Sequence, residues 1–183
     1  MLARIDPAML TTMLHAAEHH PHLGLLGPMI YYLAEPERVW FAGYNMPHGI
    51  YILRRGLHLK PPLKPVEEVD FVSGCALLIR RSVIEQIGGL SEDYFMYYED
   101  LDYCLRAKAA GVGVGCVTGA KMWHAISSSS GGLHSPTKQY YIIKSSLVFY
   151  RRHSRGLRYL LNLSLTFLRA GYSFVVALLQ GRL

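Results

Sequence analysis

The side chains best placed to do chemistry lie in Tyr97-Tyr98-Glu99-Asp100-Leu101-Asp102, followed by Arg106. In a helix Glu99, Asp102 and Arg106 share one face, and Asp100 points about 100° away. Acids at a helix N-terminus are stabilising, and Asp102 with Arg106 is an ordinary i,i+4 pair. One reading is therefore a solvated helix end. The other is a helix mouth that holds one carboxylate free of the ion pair. That carboxylate is Asp100, because Arg106 competes for Asp102 and Glu99, and a free carboxylate there is a candidate general base toward an alcohol. Asp100-Leu101-Asp102 is also a literal D-x-D, but on a helix its two acids diverge and do not share a cation. A second candidate is Trp123-His124, at the end of an apolar stretch and before the serine-glycine run 127–132. A neutral imidazole there suits a divalent cation or phosphate oxygens, and the loop offers backbone N–H groups to an anion. The plainer alternative is a half-buried strand histidine. A third pattern, His15-Ala-Ala-Glu18-His19, fits H-x-x-E-H, in which two histidines hold zinc and the glutamate acts as base. His20 and His22 crowd it and no third ligand helix follows, so a zinc hydrolase is the remote alternative and a solvated helix end the plain one.

These groups need a folded scaffold. With 183 residues, 51% apolar and 17% charged, the chain is long and apolar enough for a core and is not disordered. The net charge of +6 points to an anionic partner. Basic residues at 54–64 and 151–158 carry no zinc-finger, helix-turn-helix or RNA-recognition signature, so no nucleic-acid partner is expected. Cys75, Cys104 and Cys116 sit scattered in apolar stretches and read as buried, reduced thiols. The first residues lack the apolar run of a signal peptide, which fits a cytoplasmic setting.

Local signals give the elements. Asp6-Pro7 predicts a helix start. Leu23–Ile30 predicts a buried strand that exits at Gly27-Pro28, and Val39–Tyr44 another strand. Residues 45–65 read as a surface loop. Val69–Ile79 reads as a strand bent at Ser73-Gly74, where something approaches the backbone. Ser82-Val-Ile-Glu85 predicts a capping box, and Gly88-Gly89 the stop of that helix. Glu99–Ala110 reads as a helix whose charge order matches its dipole. Val112–Val117 and Ala120–Ala125 read as two strands, and Lys138–His153 as a helix. The apolar tail from Arg155 carries Arg158, Asn162 and Arg169. With Arg151, Arg152, Arg155 and Arg158 clustered before it, it reads as an amphipathic helix lying on a membrane surface rather than crossing it.

Taken in order, Val69-Asp-Phe-Val-Ser-Gly-Cys-Ala-Leu-Leu-Ile-Arg-Arg81, Ile87-Gly-Gly-Leu90, Tyr94-Phe-Met-Tyr-Tyr-Glu-Asp-Leu-Asp-Tyr-Cys-Leu-Arg106, Ala110-Gly111 and Trp123-His124 resemble the second half of a rhamnosyltransferase-like family 2 glycosyltransferase. The resemblance covers residues 5–150. It implies an α/β GT-A fold, Rossmann-like with a mixed central sheet. It implies inverting transfer from a nucleotide-diphosphate sugar donor to a glycan or lipid-linked acceptor, helped by Mg²⁺ or Mn²⁺. Asp100 matches the family's base, with Glu99 beside it as the second catalytic candidate. Ser73 and Gly74 match the segment lining the sugar and acceptor pocket, and Asp102 and Arg106 join them as binding candidates. His124 matches the position that contacts the metal or the diphosphate. Relatives carry a strand-borne D-x-D in a preceding βαβ half. This chain has no such motif, so it is expected to be a truncated GT-A fold, the acceptor-side half, with a partial domain at 1–150 and a helical, membrane-interface tail at 151–183. The expected place is the inner face of the cell membrane, with homo-oligomerisation through the open sheet edge. A non-catalytic remnant that binds a membrane or partner chain is the alternative reading.

Overall fold

A computed structural model describes residues 3–46, 64–125 and 135–179. Most of loop 45–65, the serine-glycine run 127–132 and the last four residues lie outside it. The described residues form two compact units: residues 3–46, 64–91 and 99–125, and residues 92–98 with 135–179.

The first unit is an open, mixed, six-stranded sheet with helices, a Rossmann-like α/β arrangement. Its order is β1 (Ala3–Ile5), α1 (Met9–His19), β2 (Leu23–Tyr32), β3 (Val39–Phe41), β4 (Val66–Glu68), β5 (Leu78–Ile79), α2 (Arg81–Ile87), α3 (Glu99–Ala109) and β6 (Gly113–His124). Parallel β2 and β6 form the middle. On the far side of β6, β4 pairs with its first half and β1 with its end; β5 and β3 line β2 in the same way. Met9, Met13, Ala16 and Ala17 of α1 pack on Leu23, Leu26, Ile30, Val117, Ala120 and Met122. Apolar groups three and four apart on α1 meet the sheet as a helical stripe should.

Several boundaries differ from the sequence expectation. Asp6 does cap locally, its Oδ1 accepting the Ala8 N–H at 2.8 Å, but α1 starts at Met9. Gly27-Pro28 is no exit turn: β2 runs through it, with a register irregularity at Pro28/Met29. A Cβ on Gly27 would stand 2.7 Å from Val72 Cβ, so the glycine permits close approach. The two strands expected at 112–117 and 120–125 are one strand, β6, in which the register jumps from Val117 to Lys121. The freed Thr118 turns to Pro65, its N–H donating to the carbonyl at 3.0 Å. Val69–Ile79 is not one strand; only Leu78–Ile79 and an isolated bridge at Phe71 pair. The expected capping box is absent: Arg80 is the N-cap of α2 without a side-chain bond, and Glu85 pairs with Arg81 instead.

The second unit holds α4 (Pro136–His153) and α5 (Gly156–Leu179). Ser135 Oγ accepts the Lys138 N–H and Pro136 occupies the first turn, a strong helix start. Gly156 takes a positive φ of 54° between the helices. Residues 92–98 pack on α4: Ser145 Oγ donates to the Met96 carbonyl at 2.7 Å, and Phe95 stacks on Tyr141. Among the described residues no helix is long and apolar enough to cross a membrane.

Candidate active site

The helix α3 begins at Glu99 and places the acidic cluster in its first turn, with Arg106 and Lys108 in its last. The two residues before it, Tyr97 and Tyr98, have φ of 67° and 71°. Non-glycine residues pay for that conformation, about 1–3 kcal/mol each. The strain falls immediately before Glu99, where α3 opens.

The acids of the cluster have separate fates. Asp102 has no exposed surface and its Oδ2 meets Arg106 Nε at 2.9 Å. Arg106 also donates to the carbonyls of Ile87 at 2.8 Å and Gly89 at 2.7 Å, fastening α3 to the end of α2. The pair that the sequence offered as a binding group is thus committed inside the protein, where it holds the turn. Asp100 pairs with no cation among the described residues. Its Oδ2 accepts the Gly74 N–H and its Oδ1 the Leu101 N–H, both at 2.8 Å. Burial pushes its carboxyl from 3.8 up to about 6; the Gly74 N–H opposes this and the Glu99 charge adds to it. Glu99 Oε2 is itself buried without a hydrogen-bond partner among the described residues.

Gly74 explains the break in Val69–Ile79. Its N–H serves Asp100 rather than a neighbouring strand, and a Cβ there would stand 3.1 Å from Asp100 Cβ. Ser73 is buried, and its Oγ accepts the Cys75 N–H at 3.3 Å, closing a tight turn beneath the carboxylate. Cys75 corrects the expectation of three buried thiols. It is exposed, and the charges of Asp100 and Glu99 both reach it, although burial of the sulfur is the main cause that raises its thiol. Cys104 and Cys116 are buried and pushed up to about 12 by desolvation, so they are inert. The sequence missed Cys75 as a site neighbour because only the turn at Ser73-Gly74 turns it toward the acids.

His124 closes β6 opposite Tyr32 and Ala3, with Trp40 at 6.0 Å between ring centres. It makes none of the hydrogen bonds or charge contacts of Asp100. Among the described residues no group of three or more His, Cys, Asp or Glu side chains comes together to hold a metal ion. Among the described residues His124 offers a single imidazole. The H-x-x-E-H pattern gains nothing: His15 and His19 stack at 4.0 Å, and the ring Nδ1 of His19 lies 2.8 Å from the His15 carbonyl oxygen. That contact engages one nitrogen of His19 within its own helix.

No family model matches the chain. It is 33% identical over 143 residues to an N-acetylglucosaminyl-diphospho-decaprenol L-rhamnosyltransferase of Mycobacterium tuberculosis, covering 68% of this chain and 45% of the relative. It is 40% identical over 67 residues to a low-salt glycan biosynthesis hexosyltransferase of Haloferax volcanii, covering 34% and 22%. It is 27% identical over 108 residues to a dTDP-rhamnosyl transferase of Shigella flexneri, covering 55% and 36%. The chain spans less than half the length of each of these relatives.

Proposed function

We propose that this chain, which belongs with the rhamnosyltransferase-like family 2 glycosyltransferases, carries the acceptor-side half of an inverting sugar transfer, with Asp100 as general base. The observation that carries this reading is the asymmetry of the acidic cluster. Arg106 neutralises Asp102, while Asp100 stands without a cation among the described residues, aimed by two N–H groups and lifted to about 6. A carboxyl near 6 is ionised at neutral pH and still basic enough to take a proton as bonding changes. In the step, the acceptor O–H gives its proton to the Asp100 carboxylate. The acceptor oxygen bonds to the anomeric carbon, and the bond from that carbon to the diphosphate breaks, its electron pair leaving with the nucleotide. The Gly74 and Leu101 N–H groups hold the carboxylate in one orientation, which a base needs before the acceptor arrives. Ser73 and Gly74 shape the turn on which the acceptor would rest. Any Mg²⁺ or Mn²⁺ would neutralise charge on the departing diphosphate; His124 supplies a single ligand toward it at most.

The helix α5 supports a lipid-linked acceptor. Its inward stripe is polar: Asn162, Thr166 and Ser173 are buried, and Asn162 Nδ2 donates to Ser154 Oγ at 3.1 Å. Its outward face is apolar, with Leu157, Leu168 and Tyr172 each about 70% exposed, and Leu160, Phe167 and Phe174 beside them. A helix turned inside out in this way is matched to an apolar surrounding. From Pro136 to Leu179 the sequence has basic residues and no acid, so an anionic lipid surface is the surrounding that suits it.

The test is transfer of labelled rhamnose from dTDP-rhamnose to decaprenyl-diphospho-N-acetylglucosamine, donor and acceptor being taken from the relatives' names. It is run on the polypeptide carrying this chain and on its Asp100→Asn variant. Transfer that disappears in the variant while nucleotide binding persists supports the base. Transfer that survives at more than about a tenth of the original rate sinks it, since a general base contributes about 10²–10⁴-fold.

A further inference from the structure

A cavity in the second unit is not used by the chemistry at Asp100. It holds about 110 Å³ between α4, α5 and Tyr98, room for several water-sized groups. Three hydroxyls line it as a chain. Thr166 Oγ1 donates to the Tyr150 oxygen at 3.2 Å, and the Tyr150 and Tyr98 oxygens are 3.4 Å apart. Three hydroxyls carry three protons, and this chain has two links. Whichever way the tyrosine contact is oriented, one phenolic proton is left without an acceptor among the described residues. Both rings are more than nine-tenths buried, Tyr98 at 5% and Tyr150 at 3% exposure, so that surplus donor faces the cavity rather than bulk solvent.

Arg169 lines the same cavity, and its charge is felt at Tyr98, although burial outweighs it there and raises the phenol. Arg169 makes no ion pair with any described residue. All 13 acids of the chain lie at or before Asp102, so α4 and α5 have none to offer it. Ile142, Ile143, Leu165 and Ala170 give the wall apolar surface, and Gln139 adds an amide. A cation and a surplus O–H donor beside apolar side chains call for an oxyanion at the tip of an apolar chain.

We propose that this cavity binds the phosphate of a chain-bearing amphiphile, with Arg169 and the tyrosine pair on the oxyanion and Ile142 and Leu165 against the first carbons. The assignment rests on the reading of α5 as a helix at a lipid surface and names the ligand class that this helix would take from it.

The experiment is a calorimetric titration of the full chain with dodecyl phosphate below its micellar concentration. Inorganic phosphate and the uncharged dodecyl maltoside are the comparison probes. The expected result is one dodecyl phosphate per chain, with both comparison probes at least tenfold weaker. Arg169→Gln should weaken dodecyl phosphate tenfold or more. Tyr98→Phe should weaken it several-fold with the same helical circular dichroism, and Arg169→Lys should fall between. Lys144→Gln, a charge loss on α4 outside the cavity, should change it less than twofold. Equal binding of inorganic phosphate overturns the requirement for a chain, and equal binding of dodecyl maltoside overturns the oxyanion. Equal losses in Lys144→Gln and Arg169→Gln reduce the effect to surface charge and overturn the site. The titration reads binding alone. A chain that binds dodecyl phosphate but transfers no sugar refutes the transfer reading and leaves this site standing; a chain that adheres to vesicles without a saturable dodecyl phosphate site refutes this one.

Discussion

Asp100 should make the fold less stable as the pH rises from about 4 to about 6. Its carboxyl moves from 3.8 to about 6 on folding, chiefly through burial. At about 1.4 kcal/mol per pH unit, ionising it in the fold costs about 3 kcal/mol more than in the unfolded chain. Below 3.8 both states hold the proton and there is no penalty. Between the two values the unfolded chain has released its proton while the folded chain keeps it, so stability falls with rising pH. Above about 6 both are ionised and the penalty is complete. Asp100→Asn cannot ionise, but its NH₂ replaces one oxygen that accepts a backbone N–H, which costs the variant a pH-independent amount. On top of that offset, the variant-minus-parent difference should rise by about 3 kcal/mol between pH 3.5 and pH 7.5. Urea unfolding at half-unit steps of pH, plotted as variant minus parent, isolates this carboxyl because the others titrate in both proteins. A difference that stays flat across the range would refute the raised carboxyl. In the transfer assay the same group should give kcat/KM a rising limb near pH 6, absent from the residual rate of the variant.

Arg106→Ala should destabilise by about 3–5 kcal/mol, because it takes the cation from the fully buried Asp102 and frees two carbonyls; a urea midpoint shift worth under 1 kcal/mol would show that the clamp is ornamental. Gly74→Ala puts a Cβ 3.1 Å from Asp100 Cβ and 3.3 Å from its Oδ2. The carboxylate must give by a few tenths of an ångström, so the expected result is a folded protein with transfer about tenfold slower, measured as kcat at saturating acceptor. On α5, replacing Leu157, Leu168 and Val175 by serine removes three exposed apolar side chains from one face. Co-sedimentation with anionic vesicles should weaken about a hundredfold, at roughly 1 kcal/mol for each partly buried side chain. Unchanged co-sedimentation would place the lipid contact elsewhere.

What the sequence made legible is what local physics decides. The α3 start at Glu99, its charge order and its stop before Gly111 follow from capping and dipole effects that act within a turn. The split between Asp100 and Asp102 followed from helical spacing alone, because Arg106 reaches i−4 and not the face 100° away. The continuity of β2 through Gly27-Pro28 was not legible, since it depends on Val72 lying against the glycine from another part of the chain. In 69–77 the approach to the backbone at Ser73-Gly74 was legible, but the loss of strand pairing around it was not. That loss exists because an N–H that a strand would spend on its neighbour is spent on a carboxylate twenty-six residues away.

The tail shows the same limit at a larger scale. Spacing alone marks α5 as two-faced, but periodicity carries no sign: it does not say which face turns inward. Here the face holding Asn162, Thr166 and Ser173 turns in, because Ser154 and the Tyr150 phenol supply partners that make burial of polar groups affordable. The leucines and phenylalanines are then outward by exclusion. Had α4 presented an apolar stripe there, the same sequence would have packed the other way and left nothing to meet a lipid. The proposed interfacial role thus depends on a hydroxyl and an amide inside the helix pair as much as on the leucines outside it. An Asn162→Leu variant tests this. It removes the buried bond to Ser154 without touching the outward face, so it should lower both stability and vesicle binding. Vesicle binding that persists in a destabilised α4–α5 pair would show that the leucines need no such orientation to reach the surface.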